Sequence, residues 1–209
     1  MLCLANSKKE GGKCIAGLDL ASGEWVRPVS SLSHGVLYSS DCALEGGALP
    51  KVLDVVSVPV FEPEPQPHQP ENWLIAPKQW KLVERMTLDG ARGHLDPLCV
   101  RGPELLRGRS DRISYDDIER TPLSESLALI HVDRPTFEFN PWNVFRARFV
   151  HGNQHYDLGF TELSEWATEA RRNAPVHAAG SWYFTVSLTE PFGQGNNCFK
   201  LVAAGIEDT

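Results

Sequence analysis

The feature that most constrains this chain is an order of elements that occurs twice: three short β-rich runs, a helix-like or irregular stretch, then two more β-rich runs. In the first half the runs are residues 2–5, 13–20, 24–29, 51–61 and 79–86, with an Ala-Ser-Gly turn at 21–23 and a Ser- and Gly-rich stretch at 30–50. In the second half they are residues 127–132, 143–150, 155–160, 182–189 and 198–206, with a helical pattern at 161–172 between the third and fourth. Thr161 is a candidate helix cap, and Leu163, Trp166, Ala167 and Ala170 form the apolar face.

This is the element order of a five-stranded OB barrel, with its helix between strands three and four. The sequence therefore predicts a mainly β protein of two OB-like barrels in tandem. The first spans residues 1–90 with a Pro-rich insertion at 62–70, an irregular connector covers 91–125, and the second barrel covers 126–209. In the second barrel the Gly152-Asn153 pair reads as a two-residue turn, setting Phe149 opposite Tyr156 and Arg148 opposite Asp157.

Bulk properties narrow the functional classes. The 209 residues carry a formal charge of -7, and acid exceeds base in both halves, so neither barrel offers a broad field for a long polyanion. The five cysteines include no CxxC pair, which argues for reduced thiols and against a zinc knuckle. His151 and His155 stand across a turn and share no helical face, so no metal is expected, and no cofactor motif is present. Residues 1–5 lack a basic, apolar leader, and no segment is long and apolar enough for a membrane; the expected location is the cytoplasm. The alternating prolines of 62–70 favour an extended surface excursion, a candidate docking point for a protein partner.

Two cations interrupt apolar patterns. Arg27 falls on the same face as Leu18, Leu20, Trp25 and Val29, and Lys200 sits among Cys198, Phe199, Leu201 and Val202. Each needs a partner if buried, and Asp54 and Glu190 are the structural candidates. Such local conflicts also mark functional positions. Strand alternation assigns Trp182, Phe184, Val186 and Leu188 to a core face and leaves Tyr183 and Ser187 on the opposite, ligand-facing side, where Tyr183 and Trp25 are candidates for base stacking. The arginines at 101, 107, 109 and 112 form a locally basic segment, read as a solvated connector because Glu104 and Asp111 offset it.

The segments 13–17 (KCIAG), 25–30 (WVRPVS), 183–192 (YFTVSLTEPF) and 197–202 (NCFKLV), in this order, resemble the dual OB-containing domain of bacterial proteins. The resemblance runs from residue 2 to about residue 206, with little carried by 60–125. It implies two OB modules and a nucleic-acid or nucleotide ligand, and it brings no catalytic residues. The matching positions to follow are Lys13, Cys14, Arg27, Ser187, Glu190 and Lys200, which converge if the first and last strands pack together. The resulting expectation is a protein that binds a nucleotide or a short single strand, with Lys13, Arg27 and Lys200 holding the anionic part and Trp25, Tyr183, Ser187 and Glu190 the rest. The competing classes are a protein-interaction module using 62–70, and a small enzyme using Glu190 or Cys14.

Overall fold

The computed structural model describes residues 1–208. In the first half the strands are β1 (Leu2–Lys9), β2 (Gly12–Leu18), β3 (Trp25–Val29), β4 (Asp54–Ser57), β5 (Val60–Pro63), β6 (Asn72–Ile75) and β7 (Lys81–Arg85), with a one-turn helix α1 (Ser39–Cys42) before β4. β1 to β3 form an antiparallel meander, β4 pairs antiparallel with β1, and β6 runs parallel to β3. This is the closure of a five-stranded OB barrel, with β4 and β5 serving as one strand kinked at Val58-Pro59 and β6 as the fifth.

The fifth barrel strand is thus not 79–86, as the sequence pattern suggested. That run is β7, an added edge strand on β4, and the true fifth strand lies just beyond the prolines. The proline segment itself is not a free surface excursion. It begins as edge strand β5, a position where proline costs no ladder bond, and then turns inward to bury His68, Gln69 and Glu71.

Between the barrels, residues 91–125 are more ordered than expected. Helix α2 (Leu88–Leu98) is capped by Thr87, whose side chain accepts from the Gly90 N–H, and it buries Ala91 and Leu95 one turn apart. Gly90, Gly93 and Pro97 mask this helix in the sequence. Strand β8 (Arg112–Ser114) and helix α3 (Tyr115–Arg120) follow.

The second barrel contains β9 (Leu127–Asp133), β10 (Thr136–Phe139), β11 (Phe145–His151), β12 (Gln154–Phe160), α4 (Glu165–Arg172), β13 (Val176–His177), β14 (Ser181–Leu188) and β15 (Asn197–Asp208). It repeats the closure of the first. β9 and β10 form one bent strand that pairs with β14 and β11, and β12 runs parallel to β15. The hairpin at Gly152-Asn153 has the expected pairs, Phe149 with Tyr156 and Arg148 with Asp157, and both turn residues have positive φ. Helix α4 starts later than expected: Ser164, not Thr161, is the cap, and Leu163 lies outside the helix and exposed.

The cores explain why the chain is one body. Phe137, Phe149, Phe160, Trp182 and Phe184 fill the second barrel, while Cys3, Ile15, Val56 and Trp80 fill part of the first. A third core is built by both barrels: Leu2, Leu4, Leu18 and Trp25 meet Leu127, Leu129, Tyr183, Ala204 and Ile206, with Ala91 and Leu95 of α2 between them. Strand β14 is therefore buried on both faces: Trp182, Phe184 and Val186 fill the second barrel, and Tyr183, Thr185 and Ser187 face the first. β1 packs against β15, and the Lys8 N–H donates to the Thr161 carbonyl while the Leu163 N–H donates to that of Asn6. Gly17 permits close approach inside the first barrel, since a Cβ there would stand 2.0 Å from the Leu2 carbonyl oxygen. No helix among the described residues is long and apolar enough to cross a membrane.

Candidate functional site at the seam between the barrels

Arg27 is 1 % exposed, and the parallel pairing of β3 with β6 supplies its partner. The Arg27 N–H donates to the Glu71 carbonyl, which brings the two side chains together at the start of β6. Arg27 Nε and Nη2 donate to Glu71 Oε1 at 3.2 and 2.8 Å. Nη2 also reaches Ser126 Oγ at 2.7 Å and Ser187 Oγ at 3.3 Å, both from the second barrel, and Nη1 reaches Cys14 Sγ at 3.3 Å. Ser126 in turn donates to Glu71 through its hydroxyl and its N–H. Burial alone would lower the Arg27 pKa; Cys14 and Glu71 outweigh it and leave it raised. The expected partner Asp54 is elsewhere, accepting from the Lys51 N–H and facing Arg85.

Above this pair lies a pocket of ≈ 410 Å³ walled by both barrels. The first barrel contributes Ser7, Lys8, Lys9, Cys14, Arg27, His34 and Gln69, and the second contributes Ser187, Glu190, Phe192 and Leu201. Glu190 is its partly buried carboxylate, and the exposed Glu10 stands at its edge. Lys9 Nζ donates to Oε1 at 2.9 Å, and His68 Nε2 lies 2.7 Å from Oε2. Burial works to raise the Glu190 pKa, but the His68 hydrogen bond and the Lys9 charge overcome it and pull the carboxyl down to about 2. His34, in a left-handed conformation at φ 59, stands 3.9 Å from both Glu10 and Glu190 at the mouth.

Four of the residues singled out in the sequence, Cys14, Arg27, Ser187 and Glu190, surround this pocket. Lys13 and Lys200 do not, because their strand neighbours Cys14 and Leu201 take the pocket-facing positions and adjacent strand residues point oppositely. Lys13 Nζ instead reaches Ser39 Oγ at 3.2 Å. Lys200 is buried toward the 104–111 loop, donating to the Gly108 carbonyl at 2.9 Å, and burial pushes its pKa down to about 8. Its expected partner Glu190 is taken by Lys9 and His68.

Neither aromatic expected to stack on a base is available. Trp25 is buried in the shared core. Tyr183 is 3 % exposed there, with its hydroxyl donating to Asp96 Oδ1 at 2.5 Å, and burial together with Asp96 raises its pKa to about 12. The accessible ring at the pocket is Phe192, 55 % exposed, in the turn after β14. Sequence reasoning missed Phe192, Lys9, His68, Glu71 and Ser126. The last three are brought in by the inward turn of the proline segment and by the packing of the barrels, which no local pattern encodes. Among the described residues, no group of three or more His, Cys, Asp or Glu side chains is placed to hold a metal ion.

A model of the dual OB-containing domain matches residues 1–205 of the chain. No curated protein and no solved structure matches it.

Proposed function

The chain belongs to the dual OB-containing domain family, and on that premise we propose that it binds a nucleotide, free or at the end of a short single strand, in the seam pocket. The observation that carries this reading is the makeup of that pocket. It is of ligand size, within the roughly 300–1,000 Å³ of small-molecule sites, and both barrels wall it. It combines an exposed aromatic face on Phe192 with the ammonium of Lys9, which gives one N–H to Glu190 and keeps two further donors. Phe192 suits a base, Lys9 a phosphate, and the ionised Glu190 with Ser187 and Gln69 supplies polar atoms for orientation.

Two features favour binding over catalysis. Glu190 is held by Lys9 and His68, and Cys14 lies against the Arg27 guanidinium, so the groups an enzyme would use are engaged. The buried tip of the proline segment supports this pocket as the binding feature ahead of a proline docking motif. The five free thiols agree with a reducing cytoplasmic setting.

Isothermal titration with purine and pyrimidine mononucleotides tests the reading. The expected result is saturable one-site binding, weakened at least fivefold in Lys9→Ala and in Phe192→Ala. Absence of saturable binding to every mononucleotide in the wild-type protein rejects it.

A further inference from the structure

The aromatic wall of the pocket continues beyond it. The Phe192 ring lies 4.6 Å from that of Phe199 on β15. Phe199 is the cross-strand partner of Arg112 on β8, and the Arg112 guanidinium sits 4.7 Å over the Phe199 ring. Arg112 also lines an open depression of ≈ 600 Å³ that it shares with Arg107, Ser114, Asp117, Arg120 and Thr121. One row of side chains thus leads from the seam pocket, over two neighbouring rings tilted 35° to each other, into a depression with three guanidinium groups.

The local acids do not close this depression. Arg112 spends Nε and Nη2 on Asp111, and Arg120 spends Nε on the Asp116 carbonyl and Nη2 on Asp117. Arg107 donates from Nη1 and Nη2 to the carbonyls of Thr121 and Pro122, at 2.6 and 2.9 Å. Each guanidinium carries five N–H donors, so each keeps several for an incoming oxyanion. Exposed ion pairs such as those of Arg112 and Arg120 are worth little, and a phosphate competes for them at small cost. Arg107 and its neighbour Leu106 hold left-handed backbone, at φ 62 and 46, in presenting that guanidinium.

We propose that Phe192, Phe199 and Arg112, followed by Arg107 and Arg120, form the track along which a single-stranded oligonucleotide leaves the seam pocket. The inference rests on the nucleotide reading of that pocket and deepens it: the ligand is a strand with its terminal nucleotide in the seam. Rings carry bases without regard to sequence, and arginines carry the backbone, so the track is sequence-tolerant and salt-sensitive. It also gives the otherwise acidic chain a route for a short strand without a broad basic surface.

The test is titration with thymidine oligonucleotides of one, three and six residues at two salt concentrations, on the wild type and on R112Q/R120Q. Both substituted side chains are at least about half exposed, and a matching thermal melt verifies the fold. The wild type is expected to bind the hexamer at least tenfold more tightly than the mononucleotide, with a salt slope steeper by about 0.7 for each phosphate engaged. In R112Q/R120Q the hexamer is expected to fall to the affinity and slope of the mononucleotide. The track is overturned if the wild type binds the mononucleotide but gains nothing with length, or if the gain survives in the double variant. Failure of the wild type to bind the thymidine hexamer overturns the track, whose rings and arginines accept any base, whereas failure with every purine and pyrimidine mononucleotide overturns the pocket reading itself and the track with it.

Discussion

Arg27 and Glu71 form a buried ion pair, 2.8 Å apart, that belongs to the first barrel and is completed by Ser126 and Ser187 of the second. Its hydrogen bonds to Ser126 and Ser187 form only when the barrels are together. The pair thus ties the floor of the candidate site to the assembly of the fold.

Replacing Arg27 with Met leaves Glu71 buried without its cation, and the expected loss of stability is about 3–5 kcal/mol. Removing both charges in Arg27→Met/Glu71→Leu is expected to cost less than the single change. Urea unfolding of the two variants checks this. Equal losses in single and double variants would contradict the account. A loss of ligand binding in an Arg27 variant is therefore informative only beside such a melt.

Separate production of residues 1–125 and 126–209 tests the shared core. Each piece exposes its share of Leu2, Leu4 and Trp25 on one side or Leu129, Tyr183 and Ile206 on the other. Neither is expected to give a dispersed amide NMR spectrum alone. A folded spectrum from either half would show that the barrels are independent units.

Two titrating groups make stability rise with pH, in two separate windows. Glu190 is lowered to about 2 in the folded chain from an ordinary value of 4.5, so its stabilisation is complete above that value and is lost as pH falls from 4.5 toward 2. Glu190→Gln is expected to flatten acid unfolding in this window. Lys200 is lowered from 10.5 to about 8, so the unfolded chain binds the extra proton and stability rises as pH climbs from 8 toward 10.5. Lys200→Met is expected to abolish that rise. Chemical denaturation as a function of pH measures both.

Gly17→Ala places a methyl group 2.0 Å from the Leu2 carbonyl oxygen and forces β1 and β2 apart. The expected cost is about 1–3 kcal/mol, read as a fall in melting temperature.

The sequence carried more of the fold than of the site. Period-2 runs with a Gly-Asn turn carried the turn and register of the β11–β12 hairpin, with strand ends off by one or two residues, and the repeated order of runs carried the two barrels. The first barrel's fifth strand was hidden because β6 is four residues long and follows a proline run that reads as a break. Arg27 was visible as a charge in an apolar stripe, but its partner Glu71 sits 44 positions away, where only the parallel β3–β6 pairing makes them neighbours. Tyr183 shows the limit of alternation. The strand pattern separates its two faces correctly, but it does not tell that the second face is also buried, because the cover comes from the other barrel. Phe192 lay outside every strand run, in a turn, and only its exposure beside the pocket marks it.

The most direct test of the central claim is a map of amide NMR shifts in the intact chain on titration with a mononucleotide. The account predicts saturable shifts on both sides of the seam together, at Lys9 and Cys14 of the first barrel and at Ser187 and Phe192 of the second, with one common dissociation constant. Shifts confined to one barrel, or none at saturating nucleotide, would contradict it.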